Sequence, residues 1–321
     1  MLDEPVIALQ GPGAVGKTTL LRALATTSGA SVLDLDDPTM RAAVEADPLT
    51  FVSGPGPLFI DEYQHVPMVL DAIKAELNRD GSPGRFLISG SIRHDALPRA
   101  AQALTGRLQV MSILSLSQAE IDDHADSLVT RRFTDPAATV DARPSSTSRE
   151  GYIARVTDGG FPPALRPAAQ SGQVLNVASA GQAAGLKART AENSTRLLEA
   201  LFLVHRLPAW GRTLRARAVA TPKLHVVDPG LAARLLRLTP AKFARRDATA
   251  LQEFGHLLET FVAIEVKASS RVTTKNLTGL RATRDALGEA LLTGVVLNTG
   301  TRAYRAEDRI QVLPLDRLWT T

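Results

Sequence analysis

Eight residues near the start of the chain have the types and the spacing needed to hold phosphate. The segment GPGAVGKT, residues 11–18, fits the pattern G-x-x-x-x-G-K-[ST] in full, between an apolar run and a helical pattern. Gly11 and Gly16 let the backbone curl so that successive N–H groups face phosphate oxygens. Lys17 offers a mobile charge to the β- and γ-phosphates, and the Thr18 hydroxyl is a Mg²⁺ ligand. The pattern predicts a nucleoside triphosphate site; the alternative is a glycine-rich turn without a ligand.

A second segment, PLFIDEYQ at residues 57–64, supplies two carboxylates at the end of an apolar run. We expect Asp61 to hold the metal, directly or through water. We expect Glu62 to orient and polarise a water molecule for in-line attack on the γ-phosphate. An Asp-Glu pair favours water as the nucleophile, and therefore hydrolysis over transfer to a small molecule. The alternative is a pair of solvated carboxylates that merely follow a strand.

Two further polar positions are candidates for contact with the phosphates. Ser89 and Ser91, in LISGSIRH, end the run that should lie beside the Asp61 strand, where a side chain can sense the γ-phosphate. Arg107, in LTGR, is a candidate for neutralising charge on the transferring phosphoryl group, with an ordinary surface arginine as the alternative. The predicted catalytic residues are Glu62, Lys17 and Arg107. The predicted metal ligands are Thr18 and Asp61. The predicted nucleotide-binding residues are Gly11, Gly13, Ala14, Val15, Gly16, Lys17, Thr18, Thr19 and Ser91.

The elements that must position these residues alternate between strand and helix. Short apolar runs predict strands at residues 6–10, 31–35, 57–61, 85–89 and 108–114. Helical patterns lie between them at residues 17–27, 38–46, 66–79 and 97–104. Such alternation is typical of an α/β fold, a parallel sheet flanked by helices.

The second half of the chain has a different organisation. Residues 121–150 are polar, with Pro, Ser and Thr, and predict a linker or long loop. From residue 174, two helical segments and two strands joined by GRTLRARAVATP follow the order of a winged helix-turn-helix. We expect residues 189–200 to form its recognition helix. The side chains near the exposed face of that helix are Arg189, Thr190, Asn193 and Arg196, and those of the wing are Arg212, Arg215 and Arg217. The alternative is a module that only packs on the ATPase core and transmits its state.

Composition sets broad limits on the protein class. The 321 residues are 44% hydrophobic and 22% charged, which is ordinary for a globular chain, and there is no Cys for disulfides or Cys-type zinc sites. No apolar run approaches the ~18 residues of a membrane span, and the N-terminus does not resemble a signal peptide. We therefore expect a cytoplasmic protein with no membrane contact.

Charge is distributed unevenly along the chain. Residues 1–120 contain 9 Lys and Arg against 14 Asp and Glu, a net charge of −5, out of 37 and 33 in the whole chain. Residues 121–321 therefore contain 28 and 19, a net charge of +9. A basic second half indicates a polyanionic partner, with a merely solvated arginine-rich surface as the alternative.

In its phosphate loop, its DEYQ segment and several later segments, the chain resembles the bacterial and archaeal AAA-like P-loop ATPases that carry a C-terminal domain of unknown function. The resemblance runs in order from residue 6 to residue 319. It is carried by GPGAVGKTTLLRAL, FIDEYQHVP, GRFLISGS, LTGR, LSLSQAEI, GGFPPAL, LEALFLVHRLPAW, PKLHVVDPGLAARLL, FGHLLETFVAIEVKAS and LPLDRLW. It implies an ATPase core, a winged-helix middle and a C-terminal module similar to PD-(D/E)xK nucleases. The family often has Arg where this chain has Gly13, and segments after GGFPPAL and after LLETFV are missing here.

The missing segments affect the nuclease-like module most. In LLETFVAIEVKASS, residues 257–270, the resemblance matches Glu259, Glu265 and Lys267 to a helix Glu and an E-x-K pair, but the required Asp has no counterpart. One carboxylate alternating with one Lys is a weak metal site, because hard cations need several oxygens. Asp228 is the nearest candidate replacement by sequence. We expect no metal-dependent nuclease activity, and we expect the strand at residues 264–267 to have an edge that is either covered otherwise or exposed.

Together these patterns predict four regions. They are a P-loop ATPase domain at residues 1–120, a linker at 121–173, a winged helix-turn-helix at 174–240 and a truncated α/β nuclease-like module at 241–321. The expected ligands are ATP and Mg²⁺, and the expected function is an ATPase that acts as a nucleotide-driven switch with a partner-binding C-terminal half. One alternative is an ATP-liganded regulator with little turnover that binds double-stranded DNA through residues 189–217; another is a degenerate chain that folds poorly. An oligomer is compatible with either function.

Overall fold

The structure is a computed structural model that describes residues 4–92, 104, 106–124, 143–165, 188–207, 223–245, 247–262, 266–267, 272–288 and 291–320. The chain divides into two compact units. The N-terminal unit is drawn from Met1–Ser115 and Ala183–Arg206, and the C-terminal unit from Leu116–Gln182 and Leu207–Thr321. The domain boundaries predicted from the sequence stay predictions.

Strands and helices alternate in the first third of the described chain, and helices predominate in the middle part. In chain order, the elements are β1 (Val6–Gln10), α1 (Lys17–Thr27), β2 (Val32–Asp34), α2 (Pro38–Ala46), α3 (Pro48–Val52), β3 (Leu58–Asp61), α4 (Val69–Leu77), β4 (Phe86–Gly90), β5 (Leu108–Ser112), α5 (Gln118–Ile121), α6 (Arg149–Asp158), α7 (Ala188–Ala200), β6 (Val204–Leu207), β7 (Lys223–Val226), α8 (Pro229–Leu235), α9 (Pro240–Ala244), α10 (Ala248–Val262), β8 (Val266–Lys267), α11 (Thr278–Leu287), β9 (Gly294–Asn298), β10 (Tyr304–Glu307) and β11 (Ile310–Pro314). Single 3₁₀ turns lie at Tyr63–His65, Thr274–Leu277 and Leu315–Leu318.

The N-terminal unit is built on a five-stranded parallel sheet with strand order β2-β3-β4-β1-β5. Strand β1 shows why its sequence is continuously apolar. Val6 and Ala8 pack into a core on one face of the sheet, while Ile7 and Leu9 pack on the other face against Leu21 of α1. A parallel sheet covered on both faces requires apolar residues at successive positions. All five carboxyl ends lie along one edge, where parallel α/β sheets bind ligands.

The structure confirms the predicted α/β fold with its five parallel strands, with small shifts of boundaries. Helices α1 and α2 have the predicted bounds, and α4 is shorter than its predicted range of 66–79. The predicted helix at 97–104 lies almost entirely outside the described residues. The sequence patterns missed α3, a single turn of helix that begins when the Asp47 side chain accepts a hydrogen bond from Thr50 N.

The C-terminal unit combines helices with a four-stranded sheet in the order β10-β11-β9-β8. Strands β8, β9 and β11 are parallel, and β10 is antiparallel to β11. Helices α6, α8 and α10 pack together around aromatic side chains that include Tyr152, Phe254 and Trp319. The sequence patterns predict helices at residues 251–262 and 275–287 and strands at 263–267 and 291–297, which correspond to α10, α11, β8 and β9 with shifted ends. They missed α5, α6, α8, α9, β10 and β11.

Strand β8 is the terminal strand of this sheet among the described residues, since it pairs with β9 alone. Its register places Val266 beside Leu297 and Lys267 beside Asn298. The strand was predicted over residues 263–267, and residues 263–265 lie outside the described part of the chain. In the described residues, no helix combines the length and apolar character needed to cross a membrane.

Candidate nucleotide site

The phosphate loop connects the end of β1 to the start of α1, and its glycines are required by two different constraints. A Cβ at Gly11 would lie 1.9 Å from the Ile113 carbonyl oxygen, so only glycine permits this approach of the chain beyond β5. Gly16 has a φ of 101°, in the left-handed region that favours glycine. Gly13 has open space around its Cβ position, so packing does not require glycine there.

Helix α1 begins at Lys17 without a side-chain cap and without an acidic residue in its first turn. Its first N–H groups therefore have no side-chain acceptor, and the helix dipole favours an anion at this end. Within the loop, Val15 is buried, while Ala14 and Thr19 are exposed and Thr18 is half-buried. These features fit a phosphate group held by backbone amides.

Lys17 is 3% exposed and is held by three oxygen atoms. Its Nζ donates to the carbonyl oxygens of Gly11, at 3.0 Å, and Pro12, at 2.8 Å, and to Ser91 Oγ, at 3.1 Å. Burial lowers the pKa of Lys17 below the usual 10.5, and the negative charges of Glu62 and Asp61 act in the opposite direction. The ammonium group therefore lies close to Glu62, the predicted catalytic carboxylate, and to Asp61, the predicted metal ligand.

Glu62 and Ser91 are joined directly. Ser91 Oγ lies 3.1 Å from Glu62 Oε1 and 3.2 Å from Oε2, so one hydroxyl contacts both Lys17 and the carboxylate. Glu62 has a φ of 53°, a left-handed conformation that is uncommon for a residue with a side chain. Such conformations cluster at functional sites, where the surrounding structure holds them.

Asp61, at the carboxyl end of β3, is 2% exposed and accepts a hydrogen bond from Ser89 Oγ on β4. The structure therefore brings five of the residues singled out from the sequence into one cluster: Lys17, Asp61, Glu62, Ser89 and Ser91. Mg²⁺ in nucleotide sites is usually held by one or two protein oxygens together with phosphate oxygens. The Thr18 hydroxyl and the Asp61 carboxylate are suitable donors of this kind, so the residues present fit Mg²⁺ and a nucleoside triphosphate.

Arg107 lies elsewhere, which corrects its predicted place in the catalytic cluster. Its carbonyl oxygen accepts a hydrogen bond from Val6 N, at the beginning of β1, whereas the phosphate loop follows the end of β1. Its guanidinium donates to Asn78 Oδ1 at 3.0 Å, just beyond α4. Arg107 precedes a parallel strand, and the amino ends of parallel strands lie opposite the ligand edge. The arginine therefore does not reach the phosphate loop of its own chain.

Three residues around the site were not predicted from the sequence. Gln64 Nε2 donates to Glu62 Oε2, and Gln10 Nε2 donates to the Tyr63 hydroxyl at 2.9 Å. Tyr63 is fully buried, and Gln10 is the last residue of β1. The sequence signal that could have predicted two of them is the tetrapeptide DEYQ, in which Tyr63 and Gln64 directly follow the two carboxylates.

Comparison with known proteins supports the N-terminal part of this description. A model described as an AAA domain matches residues 3–122. Two models, each described as a domain of unknown function, match residues 167–242 (DUF8612) and 255–318 (DUF4143) of the C-terminal part. These matches confirm the resemblance to AAA-like P-loop proteins with a C-terminal domain of unknown function.

Two uncharacterized proteins, one of Mycobacterium bovis and one of Mycobacterium tuberculosis, are similar over much of the chain. Each is 29% identical over 248 residues, which cover 72% of this chain and 56% of the relative. This chain therefore spans little more than half the length of these curated relatives. An AAA domain implies binding and hydrolysis of ATP, and the comparisons assign no more specific role.

The two candidate nuclease residues that the structure describes with their side chains, Glu259 and Asp228, are engaged by other parts of the fold. Glu259 on α10 forms an ion pair with Lys223 at 3.5 Å. Asp228 is 1% exposed, and its two oxygens accept hydrogen bonds from Leu231 N, at 3.0 Å, and Gly160 N, at 2.7 Å. Asp228 is thus the N-cap of α8 and an anchor for the chain after α6, which argues against its use as a metal ligand. Glu265 and the side chain of Lys267 lie outside the description.

Across the described residues there is no group of three or more His, Asp or Glu side chains arranged to hold a metal ion. The predicted recognition helix is present as α7, and the two predicted strands are present as β6 and β7. The first predicted helix and the segment with Arg212, Arg215 and Arg217 fall outside the described residues, as do the side chains of Arg189 and Thr190. The winged-helix interpretation therefore stays a prediction.

Proposed function

We propose that this protein is an Mg²⁺-dependent ATPase that converts ATP and water to ADP and phosphate. The observation that carries the proposal is the chain of contacts from Lys17 through Ser91 to Glu62, at the end of a complete phosphate loop. The same hydroxyl contacts the residue suited to the phosphates and the residue suited to the attacking water. A change in phosphate occupancy at Lys17 would therefore alter the surroundings of Glu62.

Each group has a separate role in this proposal. The backbone amides of residues 11–18 hold the phosphates, and Lys17 compensates their charge. Thr18 and Asp61 are the groups that would hold Mg²⁺, which on binding with the nucleotide polarises the phosphoryl group. Ser91 is the candidate contact to the γ-phosphate. Glu62 orients water, and its ionised carboxylate can accept a proton from that water.

We also propose that the basic C-terminal half binds a partner according to the nucleotide state. Its support is the net charge of +9 over residues 121–321, against −5 over residues 1–120. A positive surface favours polyanions, and double-stranded DNA contacting residues 189–217 is the partner to test first. Turnover of the purified chain, measured with and without duplex DNA and combined with size exclusion, separates an ATPase switch from a DNA-binding regulator with little turnover.

The test of hydrolysis compares Glu62→Gln with Glu45→Gln, a control at an exposed position on α2. Loss of a water-orienting base lowers turnover by about 10²–10⁴-fold and leaves ATP binding in place. Asp61→Asn should weaken binding only when Mg²⁺ is present. Phosphate release and calorimetric titration measure the two effects. Hydrolysis by Glu62→Gln at the parent rate would show that Glu62 does not activate water.

A further inference from the structure

We propose that Gln64 is a positioning residue for the carboxylate of Glu62, an inference that rests on the ATPase function proposed above. Gln64 follows Glu62 by two positions, after the chain has left β3 and entered the 3₁₀ turn at Tyr63–His65. Its amide nitrogen donates to Glu62 Oε2. A carboxylate oxygen can only accept when ionised, so the nitrogen of the amide must be the group that faces it.

The two donors to Glu62, Ser91 and Gln64, lie in different segments of the chain. Ser91, after β4, contacts both carboxylate oxygens, and Gln64 contacts Oε2 alone. Ser91 also contacts Lys17, so its hydroxyl is the group whose partners would change when phosphate engages Lys17. Among the hydrogen bonds of the described residues, Gln64 makes none to the phosphate loop. It is therefore the donor that can hold Glu62 throughout the cycle, with or without phosphate.

The surrounding residues leave this side chain little room to move. A Cβ at Gly90 would lie 2.7 Å from Gln64 Oε1 and 2.7 Å from Cε1 of the Tyr63 ring, so the end of β4 leaves room for both side chains only because residue 90 is glycine. The Tyr63 hydroxyl accepts a hydrogen bond from Gln10 Nε2, which fastens the 3₁₀ turn to the last residue of β1. Gln64 is consequently presented to Glu62 by an anchored turn.

Glu62 needs such support because of its own backbone. Its left-handed conformation turns the chain directly after Asp61, and His65 N donates to the Glu62 carbonyl at 3.0 Å to close the turn. The side chain still has three rotatable bonds, and a water-orienting carboxylate must be held within a narrow range of positions. A misplacement of ~1 Å at a reacting group can reduce turnover ~100-fold. Gln64 restricts the carboxylate without touching the nucleotide.

The experiment compares steady-state hydrolysis by the full chain with that of Gln64→Ala and Gln64→Glu. The second variant keeps the size of the side chain and removes the amide donor. We expect kcat to fall by about 10- to 100-fold in both variants, with KM and the calorimetric affinity for ATP within about twofold of the parent. Gln109→Ala, at an exposed glutamine on β5 of the same unit, is the matched control and should retain the parent kcat.

A double variant separates positioning from a structural role. If Gln64 acts through Glu62, then Gln64→Ala should lower the residual rate of Glu62→Gln by no more than about twofold. A further loss as large as in the parent background would overturn the assignment, as would an unchanged kcat in both single variants. A raised KM with constant kcat would instead mean that Gln64 holds nucleotide. If Glu62→Gln itself is as fast as the parent, the ATPase mechanism fails and the Gln64 assignment fails with it.

Discussion

The AAA domain and the C-terminal unit both place acidic side chains near the ends of regular elements, but the partners of these side chains differ. Glu62 is held by the neutral donors Ser91 and Gln64 and lies near the ammonium of Lys17. In the C-terminal unit, Glu259 is paired with Lys223, and both oxygens of Asp228 accept backbone N–H groups. The first arrangement leaves charge available for a ligand, whereas the second uses it within the fold.

This difference shows why residue type and order alone are a poor guide to chemistry. A carboxylate that caps a helix satisfies donors which would otherwise be buried without a partner, so its release costs stability. A carboxylate whose partners are a serine hydroxyl and an amide keeps its negative charge unneutralised and can accept a further hydrogen bond from water. Substitutions in the phosphate loop should therefore reduce ligand binding, whereas substitutions of Glu259 and Asp228 should reduce stability.

The largest effect is expected at Lys17. Lys17→Ala removes the ammonium group that donates hydrogen bonds to Gly11 O, Pro12 O and Ser91 Oγ. Because this group supplies the positive charge for the phosphates, ATP affinity should fall at least ~100-fold. Calorimetric titration with ATP and Mg²⁺ measures it. Lys74→Ala, an exposed lysine on α4, is the control and should bind as the parent does. Equal affinities for the Lys17 and Lys74 variants would mean that the phosphate loop does not bind nucleotide.

A smaller effect, on stability, should distinguish Asp228 from Glu259. Asp228→Ala leaves Gly160 N and Leu231 N without their acceptor and should lower the free energy of unfolding by about 1–3 kcal/mol. Glu259→Gln removes only a half-exposed ion pair and should cost less than about 1 kcal/mol. Urea denaturation followed by circular dichroism gives both values. If the Asp228 variant is as stable as the parent, the cap formed by Asp228 does not stabilise the fold.

The pH dependence of nucleotide binding should be several-fold at most and should arise from Lys17. Burial lowers its pKa, so the free protein loses this charge at alkaline pH values below the usual 10.5. Bound phosphate favours the charged form, and ATP affinity should therefore decline as pH rises through the lowered pKa. Titrations over a series of alkaline pH values test this, with circular dichroism to verify folding. A Lys17→Ala variant with the same pH profile would assign the effect to another group.

Lys267→Ala should have no effect on DNA cleavage. Without a matched Asp, and with Glu259 and Asp228 engaged as described, we predict no metal-dependent cleavage by the parent. Incubation with supercoiled and linear DNA plus Mg²⁺ or Mn²⁺ is the measurement. Cleavage that persists in the Lys267 variant indicates a contaminating enzyme. Cleavage that disappears in that variant would restore a nuclease interpretation.

Much of the AAA domain could be predicted because its signals are local. The phosphate loop requires glycine at positions 11 and 16 and a helix that begins at Lys17, and apolar runs mark strands that are covered on both faces. Strand β10 is short and partly exposed, so its pattern is weak, and it was missed. Strand β11 was missed as well, although it is largely buried and apolar. Helix α6 was missed because it lies in the predicted linker of residues 121–173, and its start depends on the Ser148 cap rather than on a long apolar stripe.

The sequence by itself determined the alternation of strands and helices along the N-terminal part of the chain, the phosphate loop and the pair of carboxylates in DEYQ. Only the tertiary structure decided which polar groups meet. Arg107 belongs to the same motif series but precedes its parallel strand, so the sheet places it opposite the ligand edge. Gln64 reaches Glu62 because a left-handed residue and an anchored turn reverse the chain between them. Glu259 and Asp228 are engaged by Lys223 and Gly160, which are distant in sequence, and periodicity along one element carries no information about such partners.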